Sequence, residues 1–139
     1  MNIRLFNKPY WLRRFGTPVE VKGYLTEPNE DIVVDLNVHP LGTDQLQALP
    51  EGERSVKRLE AQSSVPLVAT NENAGVKGDL LLYHGAWYEC VSSQAWDHTL
   101  LSHWNCQFVL VPENGPRAVD IKNPPSSEPV SAQNGGGVV

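Results

Sequence analysis

Cysteine is scarce in this chain of 139 residues, which contains two, Cys90 and Cys106. Two cysteines are too few for the disulfide framework of a small secreted domain, so the sequence predicts a reducing compartment. No apolar run approaches the ~20 residues of a membrane-spanning helix, and no apolar stretch near the N-terminus suggests a signal peptide. The length predicts one domain, large enough to bury a core without a disulfide.

Positive charge is also in deficit, since 11 lysines and arginines face 16 aspartates and glutamates, for a formal net charge of −5. This disfavours a nucleic-acid binder that depends on phosphate contacts. The charge is unevenly spread, with a balance of +4 over residues 1–23, −8 over residues 24–112 and −1 over the rest. A basic leading segment on an acidic body suggests complementary contacts between copies or neighbours, and ordinary surface charge is the alternative.

The middle of the chain is patterned for β-structure. From Ile32 to Val38 every second residue is apolar, which is the period of a half-buried strand. The runs 80–83 and 86–91 flank the pair His84-Gly85 and predict a hairpin. Other strands are predicted at 18–25, 56–61 and 103–111, short helical turns at 9–15 and 44–48, and a loop or helical turn at 94–102. Five to six short antiparallel strands predict a small β-barrel or sandwich, with short helical turns and extended terminal arms.

Proline and glycine, 11 of each, are concentrated towards the C-terminus. The last 28 residues contain five prolines and four glycines and no aromatic residue. Such a segment has too little apolar surface to offset the entropy of ordering, so we predict that contacts with neighbouring subunits hold it. The predicted organisation is a basic and aromatic arm (1–17), a β-barrel domain (18–111) and an extended Pro/Gly-rich arm (112–139).

Chemically reactive motifs are few. The two cysteines with His84, His98 and His103 form the one group that resembles metal ligands or a Cys–His nucleophile pair. The close cysteine pairs of structural zinc sites are missing, and buried core thiols are the better interpretation. The acidic pairs Glu30/Asp31 and Glu51/Glu53 fall in turns, where carboxylates are ordinarily solvated. We predict no catalytic, metal or cofactor-binding residue, and a protein that is not an enzyme.

The stretch 10–15 interleaves aromatic residues with arginine, as protein hot spots and single-stranded nucleic-acid grooves both do. On an acidic body, an anchor for another protein is the better supported function of this stretch. Alternatively, Trp11 and Phe15 cap the barrel as the apolar face of a helical turn. The predicted interface residues here, in two loops and in the C-terminal arm are Tyr10, Trp11, Arg13, Arg14, Phe15, Leu46, Trp96, Pro124 and Pro125.

Several short sequence motifs follow one another along the chain in a characteristic order. A turn-rich run from Leu46 to Arg54 (LQALPEGER) precedes a strand, and Gly78-Asp79 leads into the hairpin LLLYHGAWYECV, followed by Trp96 and a last strand through Trp104. Over about residues 18–111 this order resembles the head–tail connector proteins of tailed bacteriophages, namely the head-closure, stopper or collar proteins of the neck. The long Pro/Gly-rich arm departs from that pattern.

The resemblance implies a β-barrel subunit that forms a six- or twelve-fold homo-oligomeric ring in the virion neck, made in the bacterial host cytoplasm. The implied partners are a portal or adaptor protein on the head side, a tail or tail-terminator protein on the other, and genomic DNA that passes without sequence-specific binding. An acidic inner wall would repel that DNA. No cofactor and no membrane are implied. The alternatives are a small soluble β-domain that binds a ligand or regulates a partner, a tail-terminator or decoration protein, and a metal protein or hydrolase using the cysteines and histidines.

Overall fold

A computed structural model describes residues 7–41, 57–96 and 103–130, and β-strands dominate them. Six strands form a closed antiparallel barrel in the order β1-β4-β5-β8-β7-β6, and β2 and β3 form a separate two-stranded sheet. The strands are β1 (Lys8–Phe15), β2 (Val19–Val21), β3 (Tyr24–Thr26), β4 (Asn29–Pro40), β5 (Arg58–Ser63), β6 (Leu80–Tyr83), β7 (Ala86–Trp96) and β8 (His103–Leu110). A 3₁₀ turn (Ala118–Ile121) follows. The prediction of a mainly β protein with a small barrel is confirmed.

The barrel interior follows from the alternation of apolar residues along the strands. In β4 Val34 and Leu36 belong to one core cluster, and Ile32 and Val38 pack against it. In β8 Cys106 and Phe108 are fully buried in the same cluster, with Trp104 and Leu110 packed against it. Because successive side chains of a strand point to opposite faces, this period of two places one face inside. The predicted inward faces of both strands are confirmed.

The predicted hairpin between residues 80–83 and 86–91 is present as β6 and β7. His84 and Gly85 adopt φ values of 50° and 80°, the left-handed conformation that a tight two-residue hairpin turn requires. β7 continues through Trp96, so the loop predicted at 94–102 begins later than expected. Residues 97–102 lie outside the described residues, as do the predicted turn at 44–48 and Leu46.

The N-terminal boundary was predicted wrongly. The barrel begins at Lys8, inside the arm predicted for residues 1–17, because β1 pairs with β4 along its whole length and with β6 at Leu12 and Arg13. The same pairing replaces the helical turns predicted at 9–15. The four-residue spacing of Trp11 and Phe15 is typical of a helix, but hydrogen bonds to strands on both sides outweigh that local preference.

The strand predicted at 18–25 is divided in two. β2 and β3 are joined by Lys22 and Gly23, both with positive φ, and they pair only with each other among the described residues. The two short strands therefore form a hairpin that belongs to no face of the barrel.

The chain after β8 packs on the outside of the barrel, and residues 112–130 are called the C-terminal segment below. Leu80, Trp87 and Val111 form a second buried cluster, against which Phe15 and Ile121 pack. The described part of this segment is supported by the chain's own barrel, and contacts with neighbouring subunits stay a prediction. Residues 131–139 lie outside the description.

Candidate interaction surfaces

Arg13 joins the C-terminal segment to the barrel. Its guanidinium donates to both carboxylate oxygens of Asp31 on β4, at 2.7 and 3.0 Å. It also donates to three backbone carbonyls of the C-terminal segment, those of Asp120 (3.0 Å), Lys122 (2.6 Å) and Asn123 (2.9 Å). All five hydrogen bonds carry the charge of the arginine, which makes them stronger than bonds between neutral groups. One side chain therefore fixes a part of the chain that is about 110 residues away in sequence.

The surroundings of Arg13 are aromatic. Its guanidinium carbon lies 4.7 Å from the ring centroid of Trp87, and the residue is only 6% exposed. Next to it on β1, the indole N–H of Trp11 donates to the carbonyl of Ser127 at 2.8 Å. Trp11 and Arg13 are thus engaged with the chain's own C-terminal segment, which the prediction of an anchor for another protein did not foresee.

Arg117 ties the other end of the C-terminal segment to the barrel. It donates to Asp120 at 2.7 Å, to the carbonyl of Gly78 at 3.1 Å and to Glu89 at 3.3 Å. Its guanidinium also lies 4.7 Å from the centroid of the Phe15 ring. Since buried charges are retained only when paired, these contacts explain why Arg117 is 8% exposed without disrupting the fold.

Lys77 extends the same network. Its ammonium lies 2.7 Å from Glu27 and 3.1 Å from Asp120. Burial lowers the pKa of Lys77, but the hydrogen bonds to Glu27 and Asp120 outweigh that effect, so the pKa lies above its ordinary value. The network links the chain just after β3 to the C-terminal segment.

Arg14 points to the opposite side of β1 from Arg13. It makes two hydrogen bonds to Asp79, at 3.1 and 2.9 Å, and Asp79 is fully buried. The hydrogen bond to Asp79 raises the pKa of Arg14 despite partial burial. Asp79 also accepts the backbone N–H of Val68 at 2.8 Å. The pair closes one end of the barrel and is a structural element of the core.

Gly78 allows this end to close. A Cβ at this position would lie 2.5 Å from the backbone nitrogen of Thr70 and 2.6 Å from the carbonyl oxygen of Cys90. No side chain fits in that space, so residue 78 must be glycine for the loop before β6 to reach the barrel wall.

The two cysteines lie together in the core, and both are free thiols. A hydrogen bond with Cys106 and burial raise the pKa of Cys90 well above its ordinary value. His84 stacks on Tyr83 in the β6–β7 turn, His103 begins β8, and His98 lies outside the described residues. Within the described ranges no three His, Cys, Asp or Glu side chains are grouped as metal ligands. The interpretation of the cysteines as core residues agrees with their burial.

The remaining predicted interface residues are scattered. Tyr10 packs against the core cluster, with its ring 6.0 Å from that of Tyr83, and burial followed by repulsion from Tyr83 raises its pKa. Trp96 is the last residue of β7 and is in register with His103. Pro124 is exposed and Pro125 half-buried in the C-terminal segment. Contacts of these residues with another molecule stay a prediction.

The β2–β3 hairpin presents apolar side chains to solvent. Val19 and Val21 are 48% and 49% exposed, and Tyr24 and Leu25 are 77% and 78% exposed. The register places Val21 opposite Tyr24, so Val19, Val21 and Tyr24 share one face. The sequence pattern predicted a barrel strand here and no exposed surface, although Lys22-Gly23 is a turn signal between two short β-prone runs.

A groove lies beside the first half of β4. It has a volume of about 400 Å³ and is lined by residues 32–35 and 64–66 and by Arg14. Ser63 ends β5 here, because its hydroxyl donates to the carbonyl of Val65 at 2.6 Å and accepts the N–H of Val65 at 3.1 Å. The chain then turns away from β4, and Val65 is left 46% exposed.

No protein-family model matches the chain, and no curated protein matches it in sequence. The described part of the chain also has no helix with the length and apolarity that a membrane crossing requires.

Proposed function

We propose that the protein is a structural assembly subunit that docks on other protein surfaces through the β2–β3 hairpin. The more specific proposal, which rests on the resemblance over residues 18–111, is a head–tail connector in the neck of a tailed bacteriophage. Its partners would then be further copies of itself, a portal or adaptor protein and a tail protein. It would act through binding and not as an enzyme.

The exposed hairpin is the observation that carries the proposal. Val19, Val21 and Tyr24 share one face and form an exposed apolar patch of roughly 300 Å², within the size range in which apolar patches on soluble proteins commonly mark interaction sites. The hairpin adds nothing to the barrel core, since all its residues with described side chains are exposed. A two-stranded sheet is marginally stable by itself, so a partner surface would both bury its apolar face and stabilise it.

The charge distribution supports the connector assignment. With β1 included, residues 8–112 carry 8 lysines and arginines against 13 aspartates and glutamates, and this balance of −5 suits a channel wall that must not bind passing DNA. A ring of such subunits would repel phosphates along its lumen and leave the apolar hairpins for contacts between proteins.

A second candidate function is a β-domain that binds a small ligand. A cavity of about 390 Å³ lies between the barrel and the C-terminal segment, with Thr70, Glu89 and Arg117 among its lining residues. Its volume is within the usual range for small-molecule sites. A rise in the melting temperature with a small charged metabolite, abolished by Thr70→Val, would favour this function over assembly.

The assembly proposal is tested by light scattering and negative-stain electron microscopy of the full chain, alone and mixed with the proteins that its neighbouring genes encode. Rings or defined complexes are expected, and Val21→Asp and Tyr24→Asp, both on the apolar face, should weaken them at least tenfold. Val119→Asp is the matched control, because Val119 is 68% exposed but lies on the 3₁₀ turn. A chain that stays monomeric with every such partner, or hairpin variants that assemble normally, would overturn the proposal.

A further inference from the structure

The β2–β3 hairpin is joined to the barrel by two short connectors, residues 16–18 and 27–28. If the β1–β4 register continued through them, Val19 would lie opposite Leu25, but Val19 pairs with Thr26. The register therefore shifts by one residue between the two ladders. Pro18 and Pro28 lie in the connectors and lack the N–H that a continuous ladder requires. Interrupted strand ends of this kind are typical hinge positions between two rigid elements.

Open space borders the connectors on both sides. A crevice of about 270 Å³ lies between the first connector and the loop before β6, with Thr17 and Val76 among its lining residues. A second crevice, of about 380 Å³, is lined by residues 14–16 and 28–30. The N–H of Gly16 donates to the carbonyl of Pro28 at 2.9 Å and so joins the two connectors. The hairpin has room to move to either side, and its orientation depends on the side chains that reach the connectors.

Lys77 is a side chain that reaches the second connector. Its ammonium lies 2.7 Å from Glu27 and 3.1 Å from Asp120 of the C-terminal segment. It also lies 5.6 Å from the ring centroid of Phe15. The Glu27 side chain is 32% exposed, whereas that of Asp120 is 9% exposed and accepts a hydrogen bond from Arg117 at 2.7 Å. Lys77 therefore joins a carboxylate on the connector to a carboxylate that the rest of the fold holds in place.

The position of Asp120 depends on the C-terminal segment. Arg13 on β1 donates to the backbone carbonyl of Asp120 at 3.0 Å, and Arg117 binds its carboxylate. A fixed carboxylate restricts the rotamers of the long lysine side chain, so the ammonium of Lys77 is already ordered next to Glu27. If the segment left the barrel, Lys77 would regain that freedom and its pair with Glu27 would weaken.

We propose that Lys77 couples the two elements, so that the C-terminal segment, when bound to the barrel, holds the β2–β3 hairpin in the orientation that docks. The inference rests on the proposed function and specifies how its docking surface is regulated. A binding element that is already ordered binds more tightly, because less ordering remains to be done on association. By linkage, docking of the hairpin stabilises the bound segment by the same factor. For an ion pair that is about one-third exposed on both sides, we expect a factor of about three.

The orientation of the hairpin is measurable without a partner. Nitroxide labels on Glu20→Cys in β2 and Lys8→Cys in β1 report the distance between hairpin and barrel in pulsed electron paramagnetic resonance. Glu20 and Lys8 are exposed, whereas Cys90 and Cys106 are 0% exposed, so the labels react with the introduced thiols. Glu20 also lies on the face of β2 opposite to the apolar side chains, which leaves the docking surface unlabelled.

The labelled parent chain should give one narrow distance distribution. Lys77→Met and Asp120→Asn should each broaden it at least twofold, although Asp120 lies outside the hairpin. Because both act through one side chain, the double variant should be no broader than either single variant. Lys57→Met is the matched control, since it removes an exposed lysine just before β5 and should leave the distribution narrow.

The outcomes separate this coupling from the assembly function. Broadening by both single variants, with none added in the double variant, supports the proposal. Broadening by only one of them, further broadening in the double variant, or equal broadening in the control would overturn it, as would a narrow distribution throughout. Where complexes form, Lys77→Met should weaken them about threefold, and unchanged affinity would overturn the regulation while leaving assembly standing. A chain that never assembles would overturn the proposed function, and the distance distributions would still decide whether Lys77 couples the hairpin to the segment.

Discussion

Replacing Arg13 by methionine should release the C-terminal segment from the barrel. Methionine keeps an unbranched apolar stem that can still pack near Trp87, but it removes all five hydrogen bonds of the guanidinium. Three of these bonds go to carbonyls of Asp120, Lys122 and Asn123, so the substitution removes the main polar attachment of the C-terminal segment.

These contacts set the size of the expected loss in stability. A hydrogen bond contributes ~1 kcal/mol to stability, and one to a charged group contributes ~1.5–3 kcal/mol. If all five bonds were lost without replacement, the loss in stability would therefore exceed about 5 kcal/mol. Two features reduce the loss. The Asp31 side chain is 27% exposed, and Lys122 and Asn123 are exposed, so water can replace the arginine once the segment lifts. We therefore expect a loss of about 2–3 kcal/mol, within the range for breaking a partly buried ion pair.

Hydrogen exchange measures this release. A loss of about 2 kcal/mol in local stability corresponds to exchange about 30-fold faster for amides of residues 113–130, while amides of β5 and β8 should change less. Urea denaturation gives the global loss. Lys8→Met is the matched control, since Lys8 is an exposed cation on the same strand and should leave both measurements unchanged. Arg13→Lys should give exchange rates and a stability between those of the parent chain and Arg13→Met, because an ammonium cannot reach the carboxylate and three carbonyls together.

Unchanged exchange over residues 113–130 in Arg13→Met would refute this reasoning. It would mean that the contacts of Trp11 and the apolar cluster around Phe15 hold the C-terminal segment by themselves. A second check is a chain shortened after residue 112, in which Arg13→Met should cost less than in the full chain, because three of the five bonds are already missing.

Three other changes test the barrel end and the tyrosines. Gly78→Ala should lower the free energy of unfolding by about 2–3 kcal/mol in urea denaturation, because the added Cβ overlaps the adjacent backbone; a neutral effect would contradict the close packing. Asp79→Asn should lower the free energy of unfolding by about 3 kcal/mol in the same assay, since it removes the charge partner of Arg14. A variant more stable than the parent would show that the desolvation penalty of the pair exceeds its attraction. Burial and then repulsion from a neighbouring tyrosine raise the pKa of Tyr10 and Tyr88 above 10.0, so their contribution to stability is present below pH 10 and is lost as the pH rises through the raised values. Denaturation at pH 9 and 11 should show that loss, and Tyr10→Phe should reduce it.

Local sequence pattern predicted the strands whose environment is set by their own periodicity. The inward face of β4 follows from Ile32 to Val38, and that of β8 from Trp104 to Leu110, since a period of two requires no knowledge of the partner strand. The β6–β7 hairpin follows from His84-Gly85, because this turn is specified by two adjacent residues. The cysteines were correctly expected in the core, from their position among the apolar residues.

The errors fall where the partner is distant in sequence. The stretch 10–15 has no clear period, and its assignment to β1 depends on pairing with β4 and β6. The residues predicted there as an interface alternate between the two faces of β1. Tyr10 and Arg14 point towards the inside of the barrel. Trp11, Arg13 and Phe15 lie under the C-terminal segment. The contacts described for them lie within the chain, and contacts with another molecule stay a prediction.

Local sequence pattern is enough to predict a small β-barrel and a C-terminal segment that is too polar to order alone. What supports that segment depends on the fold, because Arg13 and Asn123 meet across 110 positions and no local pattern predicts such a contact. The fold also decides that Val19, Val21, Tyr24 and Leu25 face solvent. Apolar alternation shows that a strand has two unlike faces, but which face is buried depends on the elements that the rest of the chain brings against it.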